Sequence, residues 1–210
     1  MSIIATDLDG TIFKGKTLID GVKEGLLKII NEGIEIYYTT NNSSQTPSEI
    51  KDKLENLLQL DIDISKIITP LVIFQNLYSD DKLNIFIYGS ENLKKYIKNL
   101  NMNVTSLENA ELVLIGRKEE NNFSEINEII KSVSIGKNIL SLNKDLTFPT
   151  EFGEKAGNGA VVKIIEDELS ISIPTLGKSG NHYSSYFIQN RITVNFVIGD
   201  RVDTDIIFGK

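Results

Sequence analysis

The sequence predicts an α/β protein built on parallel sheets, and three observations carry that expectation. Short apolar, β-branched segments alternate along the whole chain with longer segments of helical periodicity. Such alternation calls for crossover connections and therefore parallel strands. Several of the apolar segments stop abruptly at acids, hydroxyls, amides or a lysine, and open α/β sheets gather their ligands at the carboxyl ends of strands. The chain also has a globular composition, with 210 residues, 40% hydrophobic and 24% charged. That is enough to bury the core of one large domain or two small ones.

Residues 3–7 form a short apolar run that stops at acid. Residues 21–31 carry Val22, Leu26, Leu27, Ile29 and Ile30 at helical spacing, and Gly33 is placed to end that helix. Segment 12–19, with Gly15, suggests a short hairpin. Residues 34–39 read as a strand, with Tyr37 and Tyr38 as core residues. Thr46-Pro47-Ser48-Glu49 then supplies an N-cap, a proline at the first helical position and a capping-box acid, predicting a helix over 47–60. The middle repeats this grammar, with strands at 84–88, 111–115 and 138–142 and helices at 91–100 and 124–133. Gly157-Asn158-Gly159 leads into a helix over 160–169, and strands are expected at 173–176 and 194–198.

Composition excludes several functions. Lys and Arg total 22 against 29 Asp and Glu, a formal charge of −7. That balance lacks the basic face of a nucleic-acid binder and does not suit an anionic membrane surface. Without cysteine there is no disulfide framework, no thiol chemistry and no Cys-ligated metal. One histidine, His182, excludes a multi-His metal site. The start of the chain meets Asp7 and Asp9 at once, unlike a secretory signal, and no apolar run approaches the roughly 20 residues of a membrane span. A cytoplasmic protein is expected.

The residues just past each strand carry the chemistry. Strand 3–7 runs into Asp7-Leu8-Asp9-Gly10-Thr11, and strand 34–39 into Thr39-Thr40-Asn41-Asn42-Ser43-Ser44. Strand 173–176 runs into Gly177-Lys178-Ser179-Gly180, and strand 194–198 into the stretch from Gly199 through Asp200 and Asp203 to Asp205. If these strands lie in one sheet, the groups converge on one crevice. Crowded carboxylates repel and raise each other's pKa. A hard cation such as Mg²⁺ relieves that by accepting oxygen ligands and leaving room for water and phosphate. Thr40, Asn41 and Lys178 would hold phosphate oxygens. The constellation fits phosphoryl transfer, in which positioning and charge neutralisation supply most of the catalysis.

Asp-x-Asp-Gly-Thr, Thr-Asn-Asn-Ser, Gly-Lys-Ser and Gly-Asp-Arg-Val-Asp-Thr-Asp-Ile, in this order, resemble the four motifs of the haloacid dehalogenase (HAD) superfamily. Within it they are similar to subclass IIA, the 4-nitrophenylphosphatase-like and NagD-like phosphatases. The resemblance implies a Rossmannoid three-layer core with a parallel sheet over 1–79 and 173–210, and an inserted α/β cap of C2 type over 80–172. It implies Asp7 as the nucleophile that becomes an aspartyl-phosphate and Asp9 as general acid, then base. Mg²⁺ would be held by Asp7, the backbone carbonyl of Asp9, and Asp200, with Asp205 in the outer shell. Thr40, Asn41 and Lys178 would bind phosphate. Residues 142–145 and Phe148-Pro149 resemble the cap stretch that faces substrate. The expected partner is a small phosphorylated metabolite, with neither nucleic acid nor membrane, and two copies would pair through the cap.

The sequence departs from the family pattern in three places. Ser179 stands where the subclass usually has proline, Asn158 lies where Pro-Gly-x-Gly is usual, and the chain ends at Lys210. The last implies that the C-terminal part of the core is missing. Plainer readings stand beside the sharper ones. Asp-Gly alone is a turn signal. Gly177-Lys178-Ser179 resembles the end of a P-loop, but Ser172 stands where that motif needs glycine. His182 reads as a surface residue, Asp203 as solvent-facing, Arg201 as having little case for function, and 117–120 as a solvated charged loop. The rival function is a phospho-acceptor, or a catalytically silent metal- or phosphate-binding protein of the same fold with a truncated core.

Overall fold

The computed structural model describes residues 2–79, 82–150 and 153–209. Its first sheet contains β1 (Ile3–Asp7), β4 (Glu35–Thr39), β5 (Ile67–Ile68) and β12 (Phe196–Ile198), in the order β12-β1-β4-β5 and all parallel. Between β1 and β4 come a small hairpin, β2 (Phe13–Lys14) and β3 (Thr17–Leu18), and helix α1 (Val22–Asn31). Helices α2 (Pro47–Leu58) and α3 (Pro70–Tyr78) flank β5.

The second sheet is also all parallel. It contains β6 (Asn84–Tyr88), β7 (Asn103–Val104), β8 (Leu112–Ile115) and β9 (Asn138–Ser141), in the order β7-β6-β8-β9. Its helices are α4 (Glu91–Asn99) and α5 (Phe123–Ser134). An antiparallel hairpin, β10 (Thr147–Thr150) and β11 (Gly153–Ala156), leads to α6 (Asn158–Leu169), and α7 (Asn181–Gln189) precedes β12.

Side-chain alternation explains the layers. In β4, Ile36 and Tyr38 face a core with Leu26 of α1 and Ile50, Leu54 and Leu58 of α2. Tyr37, between them, faces the opposite core with Phe187 of α7. In β8, Leu112 and Leu114 join that same core, while Val113 and Ile115 pack on Ile126 and Ile129 of α5 and Val161 and Ile165 of α6. All four residues of β8 are buried, as expected for a parallel strand covered on both faces. Among the described residues no helix is long and apolar enough to cross a membrane.

The signal at Thr46 is realised in full. Its hydroxyl accepts from Glu49 N at 3.2 Å, and Glu49 Oε2 accepts from Thr46 N at 2.7 Å. Thr46→Ala is expected to cost about 1 kcal/mol, seen as a lower urea midpoint at unchanged slope. An unmoved midpoint would show that the box contributes nothing.

One expected strand does not form. Segment 173–176 makes a single bridge, Thr175 to Ser141, alongside β9 of the second sheet. The Pro174 carbonyl accepts from Ser141 N and Leu176 N donates to Ser141 O. Proline has no N–H to extend the ladder, so the segment stays extended without becoming a strand of the first sheet.

Candidate active site

β1 lies between β12 and β4, so three of the four polar strand ends are neighbours, with strands about 4.8 Å apart. Asp7 is the last residue of β1. Two residues on, Asp9 bridges Phe13 and fixes the turn that carries Gly10. Gly10 has φ +100°, and a Cβ there would overlap the Asp200 carboxylate after β12. Glycine therefore lets the first and last motifs meet.

Asp205 sits in a single π-helical turn, Val202–Ile206, where it is buried. Its Oδ2 accepts from Arg201 N at 3.1 Å, and its Oδ1 accepts from Lys178 Nζ at 2.7 Å. Lys178 Nζ also donates to Asp7 Oδ1 at 2.5 Å. The lysine side chain is 1% exposed, so the ion triad is out of water. Lys178 arrives although its segment left the sheet, because its backbone N donates to Asn41 Oδ1 at 2.8 Å.

Burial pushes the Asp7 carboxyl up to about 6, against the pull of Lys178 and with help from Asp205. Burial also raises Asp9, against Lys53 and Lys178. Asp7, Asp200 and Asp205 can each bring one carboxylate oxygen within 4.8 Å of the others. This all-oxygen donor set suits a hard divalent cation. The Asp9 carboxylate is not in that group. Asp205, expected in the outer shell, is one of the three carboxylates in this group.

Thr40 and Asn41 come directly after β4. The Thr40 hydroxyl accepts from Asn42 N at 2.9 Å and still has its own proton to donate. Asn41 is a hub, its Nδ2 donating to Asp145 Oδ1 at 3.0 Å and its carbonyl accepting from Asn143 Nδ2 at 2.8 Å. Asn143 and Asp145, after β9, thus meet the first sheet's carboxyl edge. Burial raises the Asp145 carboxyl, partly offset by the Asn41 bond. Asp7, Asp9, Thr40, Asn41, Lys178 and Asp145 line one cleft.

A profile described as haloacid dehalogenase-like hydrolase matches residues 4–103, the stretch that carries the first two motifs. An acid sugar phosphatase from Staphylococcus epidermidis is 28% identical over 209 residues, 97% of this chain and 80% of the relative. A thermostable p-nitrophenylphosphatase from Bacillus stearothermophilus is 28% identical with TM-score 0.79, over 99% of this chain and 83% of that one. In fold alone, p-nitrophenyl phosphatase from Archaeoglobus fulgidus matches with TM-score 0.89 at 20% identity, over 99% and 82%. Residues 4–103, a little under half of the chain, thus match the haloacid dehalogenase-like hydrolases.

The structure adds cleft residues that the sequence does not single out. Arg117, expected in a solvated loop, is half-buried in the cleft wall, its guanidinium 3.8 Å from the centre of the Phe148 ring. Burial lowers its pKa, and the exposed Glu119 offsets that only in part. Arg201 also lines the cleft and pairs with Asp203 at 2.7 and 3.1 Å. Asn158, 4% exposed, donates to Ser141 Oγ and to the carbonyls of Ile115 and Asn143, while its Oδ1 has no partner among the described residues.

Proposed function

We propose that this chain is a haloacid dehalogenase-like hydrolase of subclass IIA, a Mg²⁺-dependent phosphatase acting on a small-molecule phosphomonoester through an aspartyl-phosphate on Asp7. One observation carries the reading: the buried Asp7–Lys178–Asp205 triad beside Asp200, opening into a cleft at the strand ends.

Asp7, Asp200 and Asp205, with the Asp9 carbonyl, would hold Mg²⁺, whose charge offsets the repulsion among phosphate and carboxylates. The chain's own groups carry the steps. Asp7 attacks phosphorus and the bond to the leaving oxygen breaks. Asp9, whose raised pKa favours the proton-bearing form, gives that oxygen its proton. Water then attacks the phosphorus of the aspartyl-phosphate, Asp9 takes its proton, and phosphate leaves as Asp7 is regenerated. Thr40 donates to phosphate oxygens, Lys178 neutralises charge on Asp7 and the phosphate, and Asn41 keeps Lys178 and Asp145 in register.

Residues 80–172 serve as a cap over the core 1–79 and 173–210 and exclude bulk water from the cleft. Two copies pair through it, which sedimentation equilibrium will test, and the protein works in the cytoplasm without nucleic acid or membrane.

The test is phosphate release from 4-nitrophenyl phosphate with Mg²⁺ and with EDTA. Release is expected with Mg²⁺, with a loss of at least about 10²-fold in EDTA. Release indifferent to EDTA sinks the metal assignment. Stable phosphorylation of Asp7 without turnover would make the protein a phospho-acceptor. Mg²⁺ binding without any release would make it a silent binding protein.

A further inference from the structure

Among the described residues, three cationic side chains line the cleft: Lys178, Arg201 and Arg117. Lys178 is neutralised by Asp7 and Asp205, and Arg201 by Asp203. Among the described residues Arg117 makes no ion pair and no side-chain hydrogen bond. Its carbonyl accepts from Ser90 N at 2.9 Å, and the exposed Glu119 attracts the guanidinium only without direct contact. The guanidinium carbon lies over the Phe148 ring at 3.8 Å from its centre, a contact that leaves its N–H groups for a ligand. A half-buried cation without a paired counter-charge is costly, so an anion arriving there gains a charge-assisted bond with little reorganisation.

The placement adds a direction. Arg117 and Phe148 stand in the wall shared by the cleft and a second cavity, the larger of the two at about 560 Å³ against about 110 Å³. A phosphate held at Lys178 therefore leaves its ester chain room to extend past Arg117.

We propose, resting on the phosphatase reading, that Arg117 is a specificity-determining residue that binds a second anionic group, a carboxylate or a second phosphate, on the substrate's leaving portion. The favoured substrates are then phosphomonoesters carrying two separated anions. Neutral alcohol phosphates are poorer because they leave the guanidinium unpaired.

The test uses alkyl phosphates of two to five carbons whose far end is methyl, carboxylate, phosphate or ammonium. The wild type is expected to favour an anionic end over methyl by at least about tenfold in kcat/KM at one chain length, mainly through KM. Arg117→Ala should bring that ratio close to one, and Arg117→Glu should favour the ammonium ester. The carboxylate and phosphate arms tell which anion is read. No anionic preference at any length, or a preference that survives Arg117→Ala, overturns the proposal. A merely structural role would lower all esters alike and keep the ratio, which also overturns it. If the wild type hydrolyses no ester, including 4-nitrophenyl phosphate, the phosphatase reading fails separately. Thermal shifts by the carboxylate and methyl esters on wild type and Arg117→Ala then decide the Arg117 assignment alone: a larger shift for the carboxylate, lost in the variant, supports it, and equal shifts overturn it.

Discussion

Asp7→Asn will abolish phosphate release from 4-nitrophenyl phosphate, by on the order of 10³-fold or more, and will make the folded protein more stable in metal-free buffer at pH 8. The first effect comes from the proposed attack by Asp7, since an amide supplies no comparable nucleophile. The second comes from burial. Asp7 is 7% exposed, and its carboxyl is displaced from an ordinary 3.8 to about 6. At pH 8 the folded state thus carries a charge it would sooner neutralise, which costs about 3 kcal/mol.

The sign runs opposite to that of a surface-paired carboxylate. The folded state binds the proton more tightly than the unfolded chain, so between pH 3.8 and 6 stability falls as pH rises. The cost is complete above pH 6 and absent at low pH. Asparagine, a neutral mimic, should gain most at pH 8 and little at pH 4. Mg²⁺ should narrow the gap, because it binds and stabilises the ionised wild type more than the variant. Urea unfolding of both proteins at the two pH values, with and without Mg²⁺, reads all of this. Retained turnover overturns the nucleophile assignment, and equal stabilities at pH 8 overturn the account of burial.

Local rules govern the features that are legible in the sequence. Alternation locates both parallel sheets, and the capping box at Thr46 can be read residue by residue. The residues past the strand ends include Asp7, Asp9, Thr40, Asn41 and Asp200, which the structure brings to one edge. Lys178 obeys the same rule for a different physical reason, since its segment makes only a bridge to Ser141 and is held in place by Asn41.

Helix α3 and Arg117 escape the sequence for different reasons. Helix α3 reads PLVIFQNLY, and its exposed polar residues, Gln75 and Asn76, are adjacent, too few to draw a polar stripe. Its Thr69-Pro70 start repeats the Thr46-Pro47 signal and could have revealed it, for the Thr69 hydroxyl accepts from Leu71 N and Val72 N. Arg117 comes after strand β8 much as Asp7 ends β1, but the neighbouring Lys118, Glu119 and Glu120 give it the look of a solvated run. Only the folded chain shows that the carboxyl ends of β8 and β9 face the cleft that β1 and β4 open into.

Lys178→Met should be the most damaging single change, at once to stability and to turnover. The lysine bonds both Asp7 and Asp205, and both carboxylates are largely buried. Replacing it with an apolar side chain leaves two buried like charges without a counter-charge, a loss of about 3–5 kcal/mol in metal-free buffer at pH 8. The loss should shrink toward pH 5, because protonation of Asp7, whose carboxyl burial already raises to about 6, removes the repulsion. Turnover should drop at least about 10²-fold, since a donor aimed at the reacting phosphate is gone. The double variant Lys178→Met/Asp205→Asn separates the two roles. It removes one of the stranded charges and should recover a large part of the stability while remaining inactive, a coupling that a double-mutant cycle measures directly. It also keeps the test usable if the single variant is too unstable to purify. A single variant as stable as the wild type would show that the triad does not hold this edge of the fold together. A double variant that regained turnover would show that Lys178 serves the carboxylates alone and not the phosphate.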